Sequence, residues 1–214
     1  TGFLTVYGCD SELPLASSVN YQVGSNASNL VIVELDGSDE ICVYTFAGAH
    51  LVVDLNGYFA DDVSNRLSSN DPTRLLDTRA GDKISAGEMI EIQVTGEGLA
   101  PETSMAAVLN VAAPQAESLG FLTLFPCGEE MPLASNVNYV NGKITSNLSF
   151  SKLSDTGSVC LFSSQATHVV VDLNGAFGAD QAPQLVANDP IRVLDTRSGA
   201  KVEAGQTVRI ELGD

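Results

Sequence analysis

The sequence predicts an all-β protein made of tandem antiparallel β-sandwich modules. Three observations carry that expectation. Short segments rich in valine, leucine, isoleucine and aromatic residues recur along the whole chain, separated by Gly, Asn, Asp, Pro or Ser. No segment shows the apolar spacing of an amphipathic helix. The chain also repeats itself: Cys9 answers to Cys127, Cys42 to Cys160, His50 to His168, Asp77 to Asp195 and Gly87 to Gly205, each at an offset of 127 − 9 = 118 without insertion or deletion.

Taken in chain order, the expected strands are "FLTVY" from Phe3, "NLVIVEL" from Asn29, "ICVYTF" from Ile41 and "HLVVDLNGYF" from His50. They continue with "MIEIQV" from Met89, "MAAVLNVAA" from Met105, "FLTLF" from Phe121, "VCLFSS" from Val159, "HVVVDLNGAF" from His168 and "TVRIEL" from Thr207. Several alternate in polarity with period two: Ile90, Ile92 and Val94 share one face of "MIEIQV", and Glu91 and Gln93 the other. Two full periods would need 2 × 118 = 236 residues, so 236 − 214 = 22 are lacking, and the stretch 97–118 occurs once.

The polar stretches "DDVSNRLSSN" and "GADQAPQLVAN" read as linkers, over 60–71 and 178–189. On that division 72–177 is a complete β-sandwich module, 1–59 the back part of another, and 190–214 the front part of a following one. A start at Thr1 rather than methionine leads us to expect a processed or excised piece of a longer polypeptide.

Composition narrows the function classes. With 44% hydrophobic residues the chain can fill a core, and with 10 basic against 27 acidic residues it carries a net charge of −17. That charge disfavours nucleic acid and anionic lipid as partners. No apolar run approaches the roughly 18 residues of a membrane helix, and no basic-then-apolar leader opens the chain, so membrane insertion is not expected.

"GFLTLFPCG", "PLASNVNY", "HVVVDLNGAF" and "PIRVLDTR" together resemble a repeat module of secreted, often very long proteins of actinobacteria and related bacteria, sometimes found beside cell-wall hydrolase domains. The resemblance spans essentially the whole chain. It implies export to the cell surface or beyond, a β-rich module and no catalysis of its own. The chain departs from the pattern at "YGCD", where proline and glycine would flank Cys9, and at Ala176, where tyrosine is usual.

Four cysteines allow three pairings, and the shared period selects one bridge per copy, Cys9 to Cys42 and Cys127 to Cys160. Each bridge would stabilise by roughly 3 to 4 kcal/mol and implies an oxidising compartment. The competing reading is four reduced, buried thiols. Zinc is disfavoured, since no CxxC spacing exists and each copy has one histidine.

The two "VVDLNG" strands raise a physical question, because a carboxylate in an apolar strand needs a partner. Alternation puts Leu51, Val53 and Leu55 on one face, with His50, Val52, Asp54 and Asn56 on the other. The arginines of "RLLDTR" and "RVLDTR" can supply the partner: Arg74 or Arg79, and Arg192 or Arg197. Asp54 and Asp172 are therefore expected to form structural ion pairs that lock the last strand of a module to the next element of chain, and loss of a buried partner would cost about 3 to 5 kcal/mol. Two alternatives stay open: Asp54 facing water, or Asp54, Asn56 and Asp77 gathered around calcium.

Asn20, Asn29, Asn56 and Asn70 recur at Asn138, Asn147, Asn174 and Asn188, where bonds to backbone in turns are expected. The sequons at Asn26 and Asn147 are not matched by the repeat. Catalytic motifs are lacking: there is no GxSxG, no HExxH and no phosphate-cradling glycine loop, and no serine or cysteine nucleophile repeats beside His50 and Asp54. The expectation is a non-enzymatic chain without cofactor, serving as an extracellular stalk or filament subunit that associates with identical or adjacent repeats through head-to-tail strand complementation. The alternative is a module that binds or adheres to cell-wall glycan as accessory to a secreted enzyme. Glycan sites usually need exposed aromatic platforms, whereas here tryptophan is absent and Tyr58 gives way to Ala176.

Overall fold

The computed structural model describes residues 1–33, 35, 40–59, 66–178 and 186–211, with the side chains of 66, 68–71, 186–192 and 198 excepted. It is all-β. The strands are β1 (Gly2–Gly8), β2 (Val19–Tyr21), β3 (Glu40–Thr45), β4 (Val52–Tyr58), β5 (Arg66–Asp77), β6 (Met89–Gln93) and β7 (Ser104–Ala113). They are followed by β8 (Gly120–Pro126), β9 (Val137–Tyr139), β10 (Thr145–Lys152), β11 (Ser158–Ser163), β12 (Val170–Gly178), β13 (Val186–Asp195) and β14 (Thr207–Glu211). Single 3-10 turns, Thr78–Ala80 and Thr196–Ser198, follow β5 and β13. The chain divides into two compact units, one of Thr1–Asp54 with Arg192–Asp214, the other of Leu55–Ile191.

The unit of Leu55–Ile191 is a sandwich of two antiparallel sheets, β10-β7-β12-β5 and β6-β11-β8-β9. Period-two alternation sends Leu109 and Val111 of β7, Leu122 and Leu124 of β8, Leu161 of β11 and Leu173 of β12 into one fully buried core. Truncating one of these leucines to alanine would cost about 2 to 5 kcal/mol.

Polar residues of the repeat motifs close the ends of this core. Thr123 Oγ1 donates to the Ala134 carbonyl at 2.7 Å, Leu124 N to Asn136 Oδ1 at 2.7 Å, and Asn147 Nδ2 to the Asn136 carbonyl at 2.7 Å. The Tyr139 hydroxyl donates to the Gln165 carbonyl at 2.8 Å. Its side chain packs against Gly120, where a Cβ would stand 2.6 Å from Tyr139 Cε2, which is why glycine opens "GFLT". These bonds are the structural content of "PLASNVNY" and "SNL". Asn147 is buried, so its sequon is not displayed at the surface.

β12 is central and strongly irregular against β5. Its pairing shifts between Val171 and Asp172, leaving Leu75 as an extra residue, and again between Leu173 and Gly175, where the partner moves from Thr73 to Ser69. "NDP" at 70–72 falls in that second shift, where Pro72 has no ladder donor to offer.

In the unit of Thr1–Asp54 with Arg192–Asp214, one sheet has the order β14-β3-β1-β2. The repeat bonds recur at an offset of 118: Val6 N donates to Ser18 Oγ at 3.0 Å, Asn29 Nδ2 to the Ser18 carbonyl at 2.8 Å, and the Tyr21 hydroxyl lies 2.8 Å from Thr45 Oγ1. Its core is smaller, with Ile41, Val43, Leu51, Val202 and Ile210 buried.

Three sequence expectations change. Of the supposed linker 60–71, residues 66–71 open β5, and of 178–189, Gly178 ends β12 and 186–189 open β13; residues 60–65 and 179–185 lie outside the described residues. Polarity misled here because β5 is the edge of its sheet, and an edge tolerates polar residues. The expected strand "NLVIVEL" forms no strand among its described residues. Finally, 190–214 was expected to begin a separate module, whereas 192–214 joins Thr1–Asp54 in one unit.

Candidate functional site

The tail meets the head of the chain through the same contacts that join the front and back parts of the complete sandwich. β14 pairs antiparallel with β3, Arg209 opposite Cys42, as β6 pairs with β11, Glu91 opposite Cys160. Several of the connecting bonds recur at the 118 offset. Val169 N donates to Thr78 Oγ1 at 2.9 Å and Leu51 N to Thr196 Oγ1 at 3.0 Å. Gly87 N donates to the Ser163 carbonyl at 2.8 Å, and Gly205 N to the Thr45 carbonyl at 3.0 Å. The bridge Ile84 to Thr167 reappears as Val202 to Ala49. The side-chain chemistry differs: Ser158 Oγ donates to Glu91 Oε1 at 2.6 Å, where Arg209 Nε stands 2.8 Å from Glu40 Oε2.

The aspartate of "VVDLNG" finds its arginine, though a different one from that expected. Arg74 Nε donates to Asp172 Oδ1, joining β12 to β5, the first strand of the same sandwich rather than the next element of chain. The cause is topological: β5 lies beside β12, and its extra residue Leu75 brings Arg74 opposite Asp172. Arg74 Nη1 also donates to Asp77 Oδ2 at 2.6 Å. Bonding to Asp172 raises the Arg74 pKa above its ordinary value. Since the Arg74 side chain is 45% exposed, the expected cost of 3 to 5 kcal/mol is discounted to about 1 kcal/mol.

"LDTR" is a local clasp. The Asp77 side chain caps the turn Thr78–Ala80, accepting from Arg79 N at 3.1 Å, while Arg79 Nε and Nη2 donate to its two oxygens at 2.9 and 2.6 Å. These bonds, led by the Arg79 side chain, hold the Asp77 carboxyl well below the usual carboxylate range. Asp195 and Arg197 repeat the clasp at 3.0 Å to the backbone N and 2.8 Å to Nε. The sequence signal for this clasp is the i, i+2 spacing of an aspartate before a turn and an arginine within it. Bonding to Asp195 raises the Arg197 pKa, and the negative charge of Asp54 adds to the effect. The Arg192 side chain lies outside the described residues.

Against the calcium alternative, both oxygens of Asp77 already accept from arginines. No group of three or more His, Cys, Asp or Glu able to hold a metal occurs among the described residues. Asn56 Oδ1 and its counterpart Asn174 Oδ1 are buried without a hydrogen-bond partner among those residues.

Both disulfides form in the expected pairing. Cys9–Cys42 and Cys127–Cys160 span Cα distances of 5.0 and 4.9 Å and tie adjacent strands, β1 to β3 and β8 to β11. They are consistent with an oxidising, extracellular setting. No helix among the described residues is long and apolar enough to cross a membrane. The histidines diverge: the buried His168 places Nδ1 3.2 Å from Thr78 Oγ1, whereas His50 is exposed. His168 N donates to the Pro114 carbonyl, and Pro114 belongs to the stretch that occurs once.

No protein-family model matches this chain, and no curated protein matches it.

Proposed function

We propose that the chain is an extracellular structural repeat protein, a subunit of a surface stalk or filament, whose modules are completed by segments passed from one repeat to another. One observation carries this reading. The front segment 192–211 seats on the back segment 1–54, about 150 positions away in sequence, through the register and bonds that join front to back in the uninterrupted sandwich. A front segment therefore carries everything it needs to recognise a back segment that does not adjoin it. Passed between molecules, the same contact is head-to-tail and does not close, which builds a fibre. The two disulfides support an extracellular setting for such material.

The test uses a variant with Thr207→Cys and Tyr44→Cys, a directly opposed pair in β14 and β3, treated with a short thiol cross-linker over a range of protein concentrations. A ladder of cross-linked multimers growing with concentration is the expected result. Cross-linked monomer alone at every concentration would sink the proposal.

A further inference from the structure

The sandwich of Leu55–Ile191 has four edge strands, β10 and β5 in one sheet and β6 and β9 in the other. An edge offers unpaired backbone groups to any second strand, and proteins blunt it with proline, bulges, charge or brevity. Three of the four are blunted in these ways. β5 has register shifts and Pro72, β9 is three residues long, and β6 is five residues long and carries the exposed Glu91. β10 is not. Its eight residues run in unbroken register with β7, without proline or glycine, and its single charge is Lys152 at the very end.

Two further features of β10 point to what covers it. Ser149 is 2% exposed, and its Oγ has no hydrogen-bond partner among the described residues. At the 118 offset the position is Val31, so an unpaired hydroxyl stands where the repeat also accepts an apolar side chain, and a buried hydroxyl left unpaired is destabilising. β10 also lies in the longest acid-free stretch of the chain, 131–154, which holds two of the ten basic residues, Lys143 and Lys152. Contact there adds no carboxylate to the repulsion between two chains of net charge −17.

We infer that the edge of β10 pairs antiparallel with β10 of a second copy of the chain, about a two-fold axis at Ser149. Ser149 then meets the partner's Ser149, Leu148 meets the partner's Phe150, and Asn147 meets the partner's Ser151. The two unpaired hydroxyls come within reach, one donating and the other accepting. Leu148, 37% exposed, is covered by the partner's Phe150 on the face away from the core cluster. The two copies of Lys152 fall at opposite ends of the new ladder. A slip of one residue would set Ser149 against the partner's Leu148 and separate the hydroxyls. Such a contact is isologous and closes at two, so it joins complete modules side by side and goes beyond the exchange of segments.

The test is amide hydrogen exchange of the full oxidised chain, read peptide by peptide over a wide range of protein concentration. Protection of 145–152 that rises with concentration is the expected result. Leu148→Glu sets a carboxylate against the partner's Phe150 and should raise the concentration of half-protection at least about ten-fold. Met89→Glu adds the same charge to β6, at a side chain 54% exposed, and should leave that concentration unchanged. The thermal midpoint of each variant checks that the fold is kept. Exchange at 145–152 that ignores concentration, equal weakening by the two substitutions, or concentration-dependent protection of β6 in place of β10 would each overturn the inference. Segment exchange trades identical contacts between chains and leaves this readout unmoved, so either proposal can fail alone.

Discussion

Arg209 Nε lies 2.8 Å from Glu40 Oε2, at a position where the other copy pairs a glutamate with a serine. The pair does more than tie two strands. Glu211 stands directly opposite Glu40 in the ladder, a like-charge arrangement that Arg209 offsets. Arg209→Glu should therefore gather three carboxylates and weaken the seating of β14 by about 1 kcal/mol. Adding Glu40→Ser, which recreates the partner present at Ser158, should restore most of the loss. The midpoint of urea unfolding across the two variants checks this.

The Arg74 and Asp172 pair should prove modest and non-additive. Asp172→Ala and Arg74→Ala are each expected to cost about 1 kcal/mol, since the pair is partly solvated. The double variant should cost scarcely more than either single one. A double-mutant cycle by chemical denaturation measures the coupling; losses beyond about 3 kcal/mol would mean that the pair behaves as a buried one.

The clasp on Asp77 predicts an acid-side loss of stability. Its carboxyl is held below its ordinary value of 3.8, so just below that value the unfolded chain binds the proton that the folded chain still excludes. Stability then rises with pH through that window, is complete above it, and is lost as pH falls toward the folded value. Glu88, bonded by Ser85, and Glu117, bonded by Lys83, are lowered in the same sense. The unfolding midpoint should hold steady from pH 7 to about 5 and fall below about 4, less steeply in Asp77→Asn.

The two disulfides should differ in consequence although they match in geometry. Each closes a loop of 33 positions and should contribute roughly 3 to 4 kcal/mol. The pair Cys127 and Cys160 sits in the unit with the larger buried core, so its replacement by alanine should leave a folded sandwich. Replacing Cys9 and Cys42 should unfold the smaller head unit first. Proteolysis at 1–54 ahead of 66–178 is the expected readout.

Much of this architecture was legible in the residues. Strand character is a local property, so "FLTLF" and "VCLFSS" read as strands because alternation and β-branching act within a few residues. The cysteine pairing was legible because the period leaves one bridge per copy. "NLVIVEL" reads equally well as a strand and is none in its described part, because its ladder partner lies in the stretch that occurs once. Propensity cannot supply a missing neighbour.

By itself, then, the sequence determined the β class, the apolar strands such as β8 and β11, the period, the sulfur pairing and the need of Asp172 for a cation. Only the tertiary structure decided that the cation is Arg74 of the same sandwich, that Asn136, Tyr139 and Asn147 are core seals, and that 192–211 completes 1–54. The physical reason is translational. A segment and its counterpart 118 positions away offer nearly the same chemistry, so the residues specify which kind of strand fits beside which. Which copy fills the place depends on how the chain is connected through space.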